Sequence, residues 1–436
     1  MKGWTTKTIG ELCDSGGGKV QTGPFGSQLH ESDYSATGIP VVMPKDILNS
    51  RIDDSSIARV SENHVERLRR HKLSKGDIVY GRRGDIGRQA FIRDENVGWL
   101  CGTGCLRITL GSSMVASGFL HRYLQLPEVI QWIEGQAIGA TMPNLNTNIL
   151  RRMPVTFPLN IGTQRKIAAI LSAYDELIEN NKRRIALLEK MAEEIYREWF
   201  VRLRFPGYKK VKIVKGVPEG WAFDKASMFF GLAKGKSYAG DEITDDTSHM
   251  PFISLKSFER GGGYREDGLK YYSGRYKDEQ VVRQNDVVMA LTDMTQDRVV
   301  VGRAARMPDF GERGAVISLD TVKLVPKNID NTFLYAYMRH SGFADFIKEF
   351  ANGANVLHLK PELIIKQKII MPPRDLQDAF ASKVTPLYVE TDLIGESNKR
   401  LAMMRDRLLP RLISGKLSVE DLDIHFPPGM AEEKTA

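Results

Sequence analysis

The sequence predicts an α+β fold in which two mixed α/β domains are separated by two long antiparallel helices that form a coiled coil. Three observations predict it: a long helical stretch near the middle of the chain, a second one near the C-terminus, and an internal repeat that relates the two halves. The predicted order is a mixed domain over residues 1–158, a helix within 159–205, a second mixed domain over 206–373, a second helix within 374–419, and a disordered tail over 420–436. Each mixed domain is long enough to bury a core of its own.

The first helical stretch, residues 164–200, contains neither proline nor glycine in its 37 residues, so nothing interrupts an α-helix. Apolar residues dominate its heptad positions, which are Ile167, Ile170, Tyr174, Leu177, Asn181, Arg184, Leu188, Met191, Ile195 and Glu198. This pattern predicts an amphipathic helix, about 55 Å long, that packs lengthwise on a partner helix.

The second stretch, residues 376–412, is the predicted partner. Its heptad positions are Val384, Leu387, Thr391, Ile394, Asn398, Leu401, Arg405 and Leu408. Asn181 of the first stretch recurs as Asn398 in the second, and each is followed by a lysine and an arginine. An asparagine between paired helices fixes their register, which is the role predicted for both residues. The alternative is two unrelated amphipathic helices that belong to separate cores.

Spacing supports a common origin of the two stretches. Asn181 lies 17 residues after Gln164, and Asn398 lies 21 residues after Gln377. The four extra residues add about one helical turn, which a helix pair can absorb.

The mixed domains repeat as well, in the same order and at similar spacing. The matching positions are Gly3-Trp4 with Gly220-Trp221, Gly76-Asp77 with Asn285-Asp286, Phe119 with Phe333, and Phe157-Pro158 with Met371-Pro372. The repeat predicts a duplicated unit of one variable domain followed by one long helix. If the helices pair antiparallel, a pseudo-twofold axis relates two unlike domains. Such a pair suits two different DNA half-sites about one helical turn apart.

Composition sets broad limits. The chain has 62 Lys and Arg against 54 Asp and Glu, and this balance mildly favours an acidic partner such as nucleic acid. No run of 18 apolar residues and no signal peptide are found, so no membrane association is expected. Three cysteines are too few for a disulfide framework, which fits a cytoplasmic protein.

A glycine-flanked turn in the first half, residues 81–88, carries three arginines: Arg82, Arg83 and Arg88. Arginine forms bidentate contacts with guanine or phosphate, and glycine lets the backbone approach closely, so these arginines are candidate DNA contacts. The alternative is a solvated turn in which Arg83 pairs with Asp85.

The counterpart in the second half carries side chains that can read base edges: Thr292, Thr295, Gln296 and Arg298. The alternative is again a solvated turn.

Four lysines are further candidates for phosphate contacts. Lys45 and Lys256 follow short strands at matching places in the two halves. Lys234 and Lys236 lie in a glycine-rich stretch that has three residues between its glycines, instead of the four of a nucleotide-binding loop. Lys45 and Lys256 could equally be ordinary surface lysines, and the alternative for the glycine-rich stretch is a plain surface turn.

Signatures of catalysis are missing from the sequence. Met371-Pro372-Pro373-Arg374 is the nearest approach to the motif of an amino-methyltransferase, and it lacks the flanking residues. No catalytic triad or paired carboxylates can be argued from spacing, and Cys101 and Cys105 are better explained as buried strand residues than as metal ligands. The sequence therefore contains no motif that indicates catalysis or a metal site.

Taken together, these features resemble the specificity subunit of Type I restriction-modification systems. The likeness covers nearly the whole chain and is carried by residues 164–200, the C-terminal copy ending at 408–415, and the segments 22–27, 84–88 and 291–295. The resemblance implies a subunit without catalytic activity or cofactor that binds an asymmetric, bipartite sequence in double-stranded DNA.

It also implies partners. In the family, the long helices hold two modification subunits, which carry S-adenosylmethionine, and restriction subunits that use ATP and magnesium complete the enzyme. Exposed apolar residues such as Trp199 and Phe200 are candidates for docking these subunits. The competing hypotheses are a fused DNA methyltransferase or nuclease, and a two-headed scaffold that binds no DNA.

Overall fold

The computed structural model describes residues 3–48, 50–82, 87–136 and 144–426. The chain divides into two compact units. The first unit combines Met1–Asn180 with Asn398–Ala436, and the second unit is Asn181–Ser397. Each long helix therefore contributes one segment to each unit.

The first unit contains the first mixed domain. Its strands are β1 (Trp4–Thr8), β2 (Gly17–Thr22), β3 (Ile39–Val42), β4 (Ile47–Leu48), β5 (Arg51–Ile52), β6 (Arg59–Val60), β7 (Ile78–Gly81), β8 (Gln89–Phe91), β9 (Leu100–Cys101), β10 (Cys105–Gly111) and β11 (Pro154–Pro158). Its helices are α1 (Ile9–Gly16), α2 (Glu62–Arg67), α3 (Ser117–Tyr123), α4 (Pro127–Gln136) and α5 (Thr147–Arg152), followed by the long α6 (Ile161–Tyr196) and a π-helical turn (Arg197–Val201).

The second unit contains the second mixed domain. Its strands are β12 (Ile213–Val214), β13 (Val217–Pro218), β14 (Ala222–Lys225), β15 (Phe230–Lys234), β16 (Ile243–Thr244), β17 (Met250–Ile253), β18 (Lys270–Tyr272), β19 (Val281–Val282), β20 (Val287–Ala290), β21 (Thr292–Asp293), β22 (Ala304–Arg306), β23 (Ala315–Ile317), β24 (Thr321–Pro326), β25 (Leu357–His358) and β26 (Lys368–Met371). Its helices are α7 (Asn331–His340), α8 (Phe343–Ile347) and α9 (Pro361–Lys366), followed by the long α10 (Arg374–Ile413).

The sheets of the two domains confirm the internal repeat. An antiparallel sheet of order β2-β10-β7-β8 in the first domain matches one of order β15-β24-β20-β22 in the second. The parallel pair β3–β9 matches β17–β23, and the ribbon β1–β11 matches β14–β26. Even a partly buried ion pair recurs: Asp77 with Arg107 at 3.8 Å, and Asp286 with Lys323 at 2.6 Å.

Segments of α6 and α10 pack on each other within each unit. In the first unit Asp175 binds Arg405 at 2.7 Å, and the Lys166 ammonium donates to the carbonyl of Glu420, just beyond α10. Since later residues of α6 pair with earlier residues of α10, these segments run antiparallel, as predicted.

The second unit shows the same direction. Arg184 binds Glu390 at 3.1 Å, and the ring of Tyr196 contacts that of Phe380 with centroids 5.9 Å apart. In each unit, side chains of both helices enter the same core. The alternative of two unrelated helices in separate cores is therefore wrong.

The predicted heptad register holds for only part of α6. Leu177 and Met191 were expected to face the partner helix, but both are about half exposed, at 51% and 52%. Ala192, next to Met191, is fully buried instead. A straight α-helix drifts by about 20° per heptad, so a fixed seven-residue count loses the inward face over several turns. Asn181 and Asn398 are both partly buried, and their role in register remains a prediction.

Trp199 and Phe200 are not exposed docking residues. Trp199 is only 8% exposed, and the ring of Phe200 packs on Phe333 with centroids 4.9 Å apart. The π-helical turn directs both side chains into the core of the second unit. Their apolar character serves the packing of α6 on its own domain.

Residues 420–436 were predicted to be a disordered tail. Val419 is buried, and Ile424 packs partly against the core of the first unit. Residues 427–436 lie outside the described part. In the ranges that the structure describes, no helix combines the length and the apolar character needed to cross a membrane.

A buried glutamine in the opening turns of each long helix holds the preceding domain. Gln164 is fully buried, its amide nitrogen donates to the carbonyls of Pro158 (2.7 Å) and Met114 (3.0 Å), and its oxygen accepts from the backbone of Ala116 (2.8 Å). The bonds tie the end of β11 and the start of α3 to α6.

Gln377 makes the equivalent bonds in the second unit. Its amide nitrogen donates to the carbonyl of Pro372 (2.8 Å), and its oxygen accepts from the backbone of Asp330 (2.9 Å). These bonds join the end of β26 and the start of α7 to α10.

We expect Gln164→Ala and Gln377→Ala each to lower the free energy of unfolding by about 1–3 kcal/mol, because each leaves buried backbone groups unpaired. Chemical denaturation followed by circular dichroism measures this cost. Gln131→Ala, at an exposed position on α4, is the matched control and should change stability by less than about 0.5 kcal/mol. Equal effects at buried and exposed positions would contradict the proposed role of the two glutamines.

Candidate nucleic-acid interface

The two candidate DNA-reading loops follow equivalent strands. In the first domain the loop after β7 leads to β8, and in the second domain the loop after β20 leads to β22. Because β7 and β20 hold the same place in matching sheets, the loops leave the same edge of each domain. The duplicated fold therefore presents two loops of different sequence in one structural position.

Arg82, directly after β7, forms hydrogen bonds with neighbouring segments of the first domain. Its side-chain Nε donates to Asn144 Oδ1 (3.0 Å) and to the carbonyl of Leu145 (3.1 Å). Its backbone nitrogen donates to the carbonyl of Gly104 (2.8 Å). Arg82 thus joins neighbouring loops. Arg83 lies outside the described residues, and Arg88 is partly buried directly before β8.

Asp293 organises the loop of the second domain. It is 2% exposed and accepts hydrogen bonds from the backbone of Thr295 (3.0 Å), Val300 (2.7 Å) and Val301 (3.2 Å), and from the Thr295 hydroxyl (2.9 Å). Burial alone would raise the pKa of this carboxyl, but the hydrogen bonds hold the pKa below its ordinary value. Sequence reasoning did not select Asp293, although an aspartate ahead of a turn is a known signal for such bonds.

Thr292 points into the domain. It is 2% exposed, and its hydroxyl lies 3.0 Å from Asp320 Oδ1 and 3.1 Å from His358 Nδ1. This hydroxyl joins β21 to its surroundings and is not presented to solvent.

The next residues of the same loop are more accessible. Thr295 and Gln296 are exposed, and the amide nitrogen of Gln296 donates to the carbonyl of Ala354 at 3.1 Å. Arg298 has a left-handed backbone (φ 52°) and forms an ion pair with Glu349. The loop is therefore held at its base and exposes hydroxyl and amide groups at its tip.

Lys45 and Lys256 occupy equivalent exposed positions. Each lies in a 3-10 turn, Pro44–Asp46 after β3 and Leu255–Ser257 after β17. Both ammonium groups are accessible for contact with phosphate.

The glycine-rich stretch that contains Lys234 and Lys236 has a packing role. A Cβ at Gly235 would lie 2.0 Å from the carbonyl oxygen of Ser318, so only glycine fits there. Lys234 pairs with Glu362 at 3.4 Å, and the backbone nitrogen of Lys236 donates to Ile317. Packing against Ser318 therefore accounts for Gly235 without any ligand.

Metal binding finds no support within the described ranges, where no group of three or more His, Cys, Asp or Glu side chains could hold an ion. Cys13, Cys101 and Cys105 are free and buried, and burial raises the pKa of Cys101 to about 12.

Comparison with known proteins first shows which class of domain the N-terminal part of the chain matches. Residues 1–190 match the family model described as the Type I restriction modification DNA specificity domain. The chain is 25% identical to the Type I restriction enzyme MjaIX specificity subunit of Methanocaldococcus jannaschii, over 97% of this chain and 95% of that protein. It is 20% identical to the HindI specificity subunit of Haemophilus influenzae, over 85% of this chain and 93% of that protein.

The fold has a solved counterpart. The crystal structure of the S subunit of a Type I restriction-modification system from M. genitalium aligns with a TM-score of 0.57 at 17% identity, over 94% of this chain and 96% of that one. These findings confirm the resemblance found in the sequence. The chain is similar to the specificity subunits of Type I restriction-modification systems over nearly its whole length.

We expect Asp293→Asn to destabilise the second unit by about 1–3 kcal/mol at pH 7, because the amide accepts fewer hydrogen bonds than the carboxylate. Since the folded pKa of Asp293 lies below its unfolded value, the stability it contributes is complete above about pH 4 and is lost as the pH falls through the folded pKa. Denaturation curves of wild type and variant should therefore converge in acid.

Asp297→Asn is the matched control, since Asp297 is an exposed carboxylate in the same loop. It should leave the free energy of unfolding unchanged both at pH 7 and in acid. A cost of Asp293→Asn that does not shrink in acid would contradict the assigned role of the carboxylate.

Proposed function

We propose that this chain is the DNA-recognition subunit of a Type I restriction-modification complex, acting in the cytoplasm without catalytic activity or cofactor of its own. Each mixed domain contacts one half of an asymmetric, bipartite DNA target. One observation carries the proposal: matching strands of two duplicated domains support loops of unlike sequence. Equivalent positions with different side chains suit the reading of two different half-sites.

The exposed side chains fall into two groups that suit different kinds of DNA contact. Thr295 and Gln296 offer hydroxyl and amide groups, which can hydrogen-bond to base edges in the major groove. Lys45 and Lys256 offer ammonium groups, which neutralise phosphates without reading sequence. Asp293 holds its own loop in shape, and Arg82 joins the end of β7 to Asn144 and Leu145.

Partner subunits complete the proposed complex. We assign the exposed apolar side chains of the long helices to two modification subunits, which would carry S-adenosylmethionine. Examples are Leu187 and Leu393 in the second unit, each 62% exposed, and Met403 in the first unit, 51% exposed. Restriction subunits that use ATP and magnesium would join this assembly.

Copurification and gel-shift experiments test the proposal. The chain coexpressed with a Type I modification subunit should form a stable complex and bind a split DNA sequence, far more tightly than the chain alone. Failure to find either a partner or DNA binding would refute it. Binding of S-adenosylmethionine or DNA cleavage by the isolated chain would favour a fused enzyme. A partner complex without salt-dependent DNA affinity would favour a scaffold.

We expect Lys256→Ala to weaken DNA binding by the complex equally for all sequences and to reduce the slope of log K against log salt by about 1, because one phosphate contact is lost. Lys209→Ala removes an exposed lysine in the 3-10 turn Tyr208–Lys210 and is the matched control. Fluorescence anisotropy at several salt concentrations gives the slope for each variant and for the wild-type complex. Identical slopes for the two variants and wild type would remove Lys256 from the interface.

A further inference from the structure

Each long helix carries an aspartate six residues ahead of its repeated asparagine: Asp175 before Asn181, and Asp392 before Asn398. Each aspartate binds an arginine of the mixed domain in its own unit. Each half of the duplicated chain therefore contains an ion pair between its mixed domain and a long helix.

In the first unit the arginine comes from α3. Arg122 Nη1 lies 2.5 Å from Asp175 Oδ2, and its Nη2 donates to the hydroxyl of Ser172 at 3.0 Å. The two charged side chains are only 4% and 16% exposed. The other oxygen of Asp175 accepts from Arg405 of α10 at 2.7 Å. One carboxylate thus joins the domain, α6 and α10.

In the second unit the arginine comes from β22. Arg306 donates from both terminal nitrogens to the two oxygens of Asp392, each at 2.7 Å. It also donates to Asn285 Oδ1 at 2.8 Å, and its guanidinium lies 5.1 Å from the ring centre of Tyr388. The side chains of the ion pair are 11% and 28% exposed.

Such pairs contribute orientation more than stability. Apolar packing between a domain and a helix has no preferred direction, so it tolerates small rotations. A bidentate contact such as that of Arg306 with Asp392 favours one relative orientation of its two planes, and Arg122 is oriented similarly because it binds both Asp175 and Ser172 of α6. The free-energy cost of removing the two charges from water nearly cancels their attraction. A purely apolar contact would therefore stabilise the domain on its helix equally well, but with a less defined orientation.

The two pairs use different elements of their domains. Asp175 follows Gln164 by eleven residues, whereas Asp392 follows Gln377 by fifteen. The four additional residues advance the second aspartate by about 6 Å along its helix. It therefore meets β22, whereas the first aspartate meets α3, and each domain is fixed on its helix in its own way.

We infer that Arg122–Asp175 and Arg306–Asp392 are positioning pairs that set the orientation of each mixed domain on the long helices and thereby make DNA binding selective for one spacer length between the half-sites. The inference rests on the proposed function and deepens it. One additional base pair rotates a half-site by about 35° and moves it by about 3.4 Å, so a rigidly held domain rejects the altered spacer.

The test uses the chain in complex with its modification subunit. A randomised double-stranded DNA pool is selected with the wild-type complex to define both half-sites and the spacer. Duplexes with these half-sites and with spacers one or two base pairs shorter or longer are then compared. The wild-type complex should prefer the selected spacer by at least about tenfold, as expected for the loss of a specific contact.

Asp175→Asn and Asp392→Asn should each reduce this preference to less than about threefold, with unchanged base preference in both half-sites. Arg306→Lys keeps the charge but loses the bidentate contact with Asp392, and Arg122→Lys keeps the charge but loses the paired contacts with Asp175 and Ser172. Both variants should behave like the aspartate variants. Asp378→Asn is the matched control, because that carboxylate pairs with Arg374 of its own helix. It should leave the spacer preference unchanged.

Variants that fold and retain the wild-type spacer preference would overturn the inference alone. Variants that lose affinity equally for every spacer would do the same, since that result indicates a purely structural role. A wild-type complex that selects no split sequence would instead overturn the proposed function, and the inference with it.

Discussion

Everything in this structure depends on the packing of two α-helical segments against each other inside each unit. The antiparallel contact is made by Asp175 and Arg405 in the first unit, and by Arg184 and Glu390 in the second. Around these contacts, apolar side chains from both helices and from the adjoining mixed domain form one core. On its own, each long helix would expose an apolar face to solvent. Within each unit, the segment of the other long helix covers this face.

The main architecture could be predicted from sequence because its signals are local and repeated. Apolar periodicity predicted both helices, the first of them in a stretch without proline or glycine, and the matched turns before β7 and β20 predicted the duplication. The inward face of α6 was partly wrong at Leu177 and Met191, since helical drift accumulates over several turns. Trp199 was wrongly assigned to the surface, because only the fold shows which domain covers it.

The candidate site was harder to predict, because loop side chains take their roles from contacts distant in sequence. Thr292 bonds to Asp320 and His358, neither of which its neighbours in the chain indicate. Asp293 was missed although it accepts four hydrogen bonds in its loop. Residue type alone identifies a side chain able to read DNA, whereas exposure and bonding decide whether it is available to do so.

Duplication followed by divergence would allow one fold to bind the asymmetric target that we propose. The sheets, the buried glutamines and the helix aspartates are shared, while the loops differ. Methylation profiling of DNA from cells that express this chain with its modification and restriction subunits tests this account most directly. The account predicts modified adenines in a single asymmetric sequence, split by a spacer of constant length. A symmetric or continuous modified sequence, or no modification that depends on this chain, would contradict it.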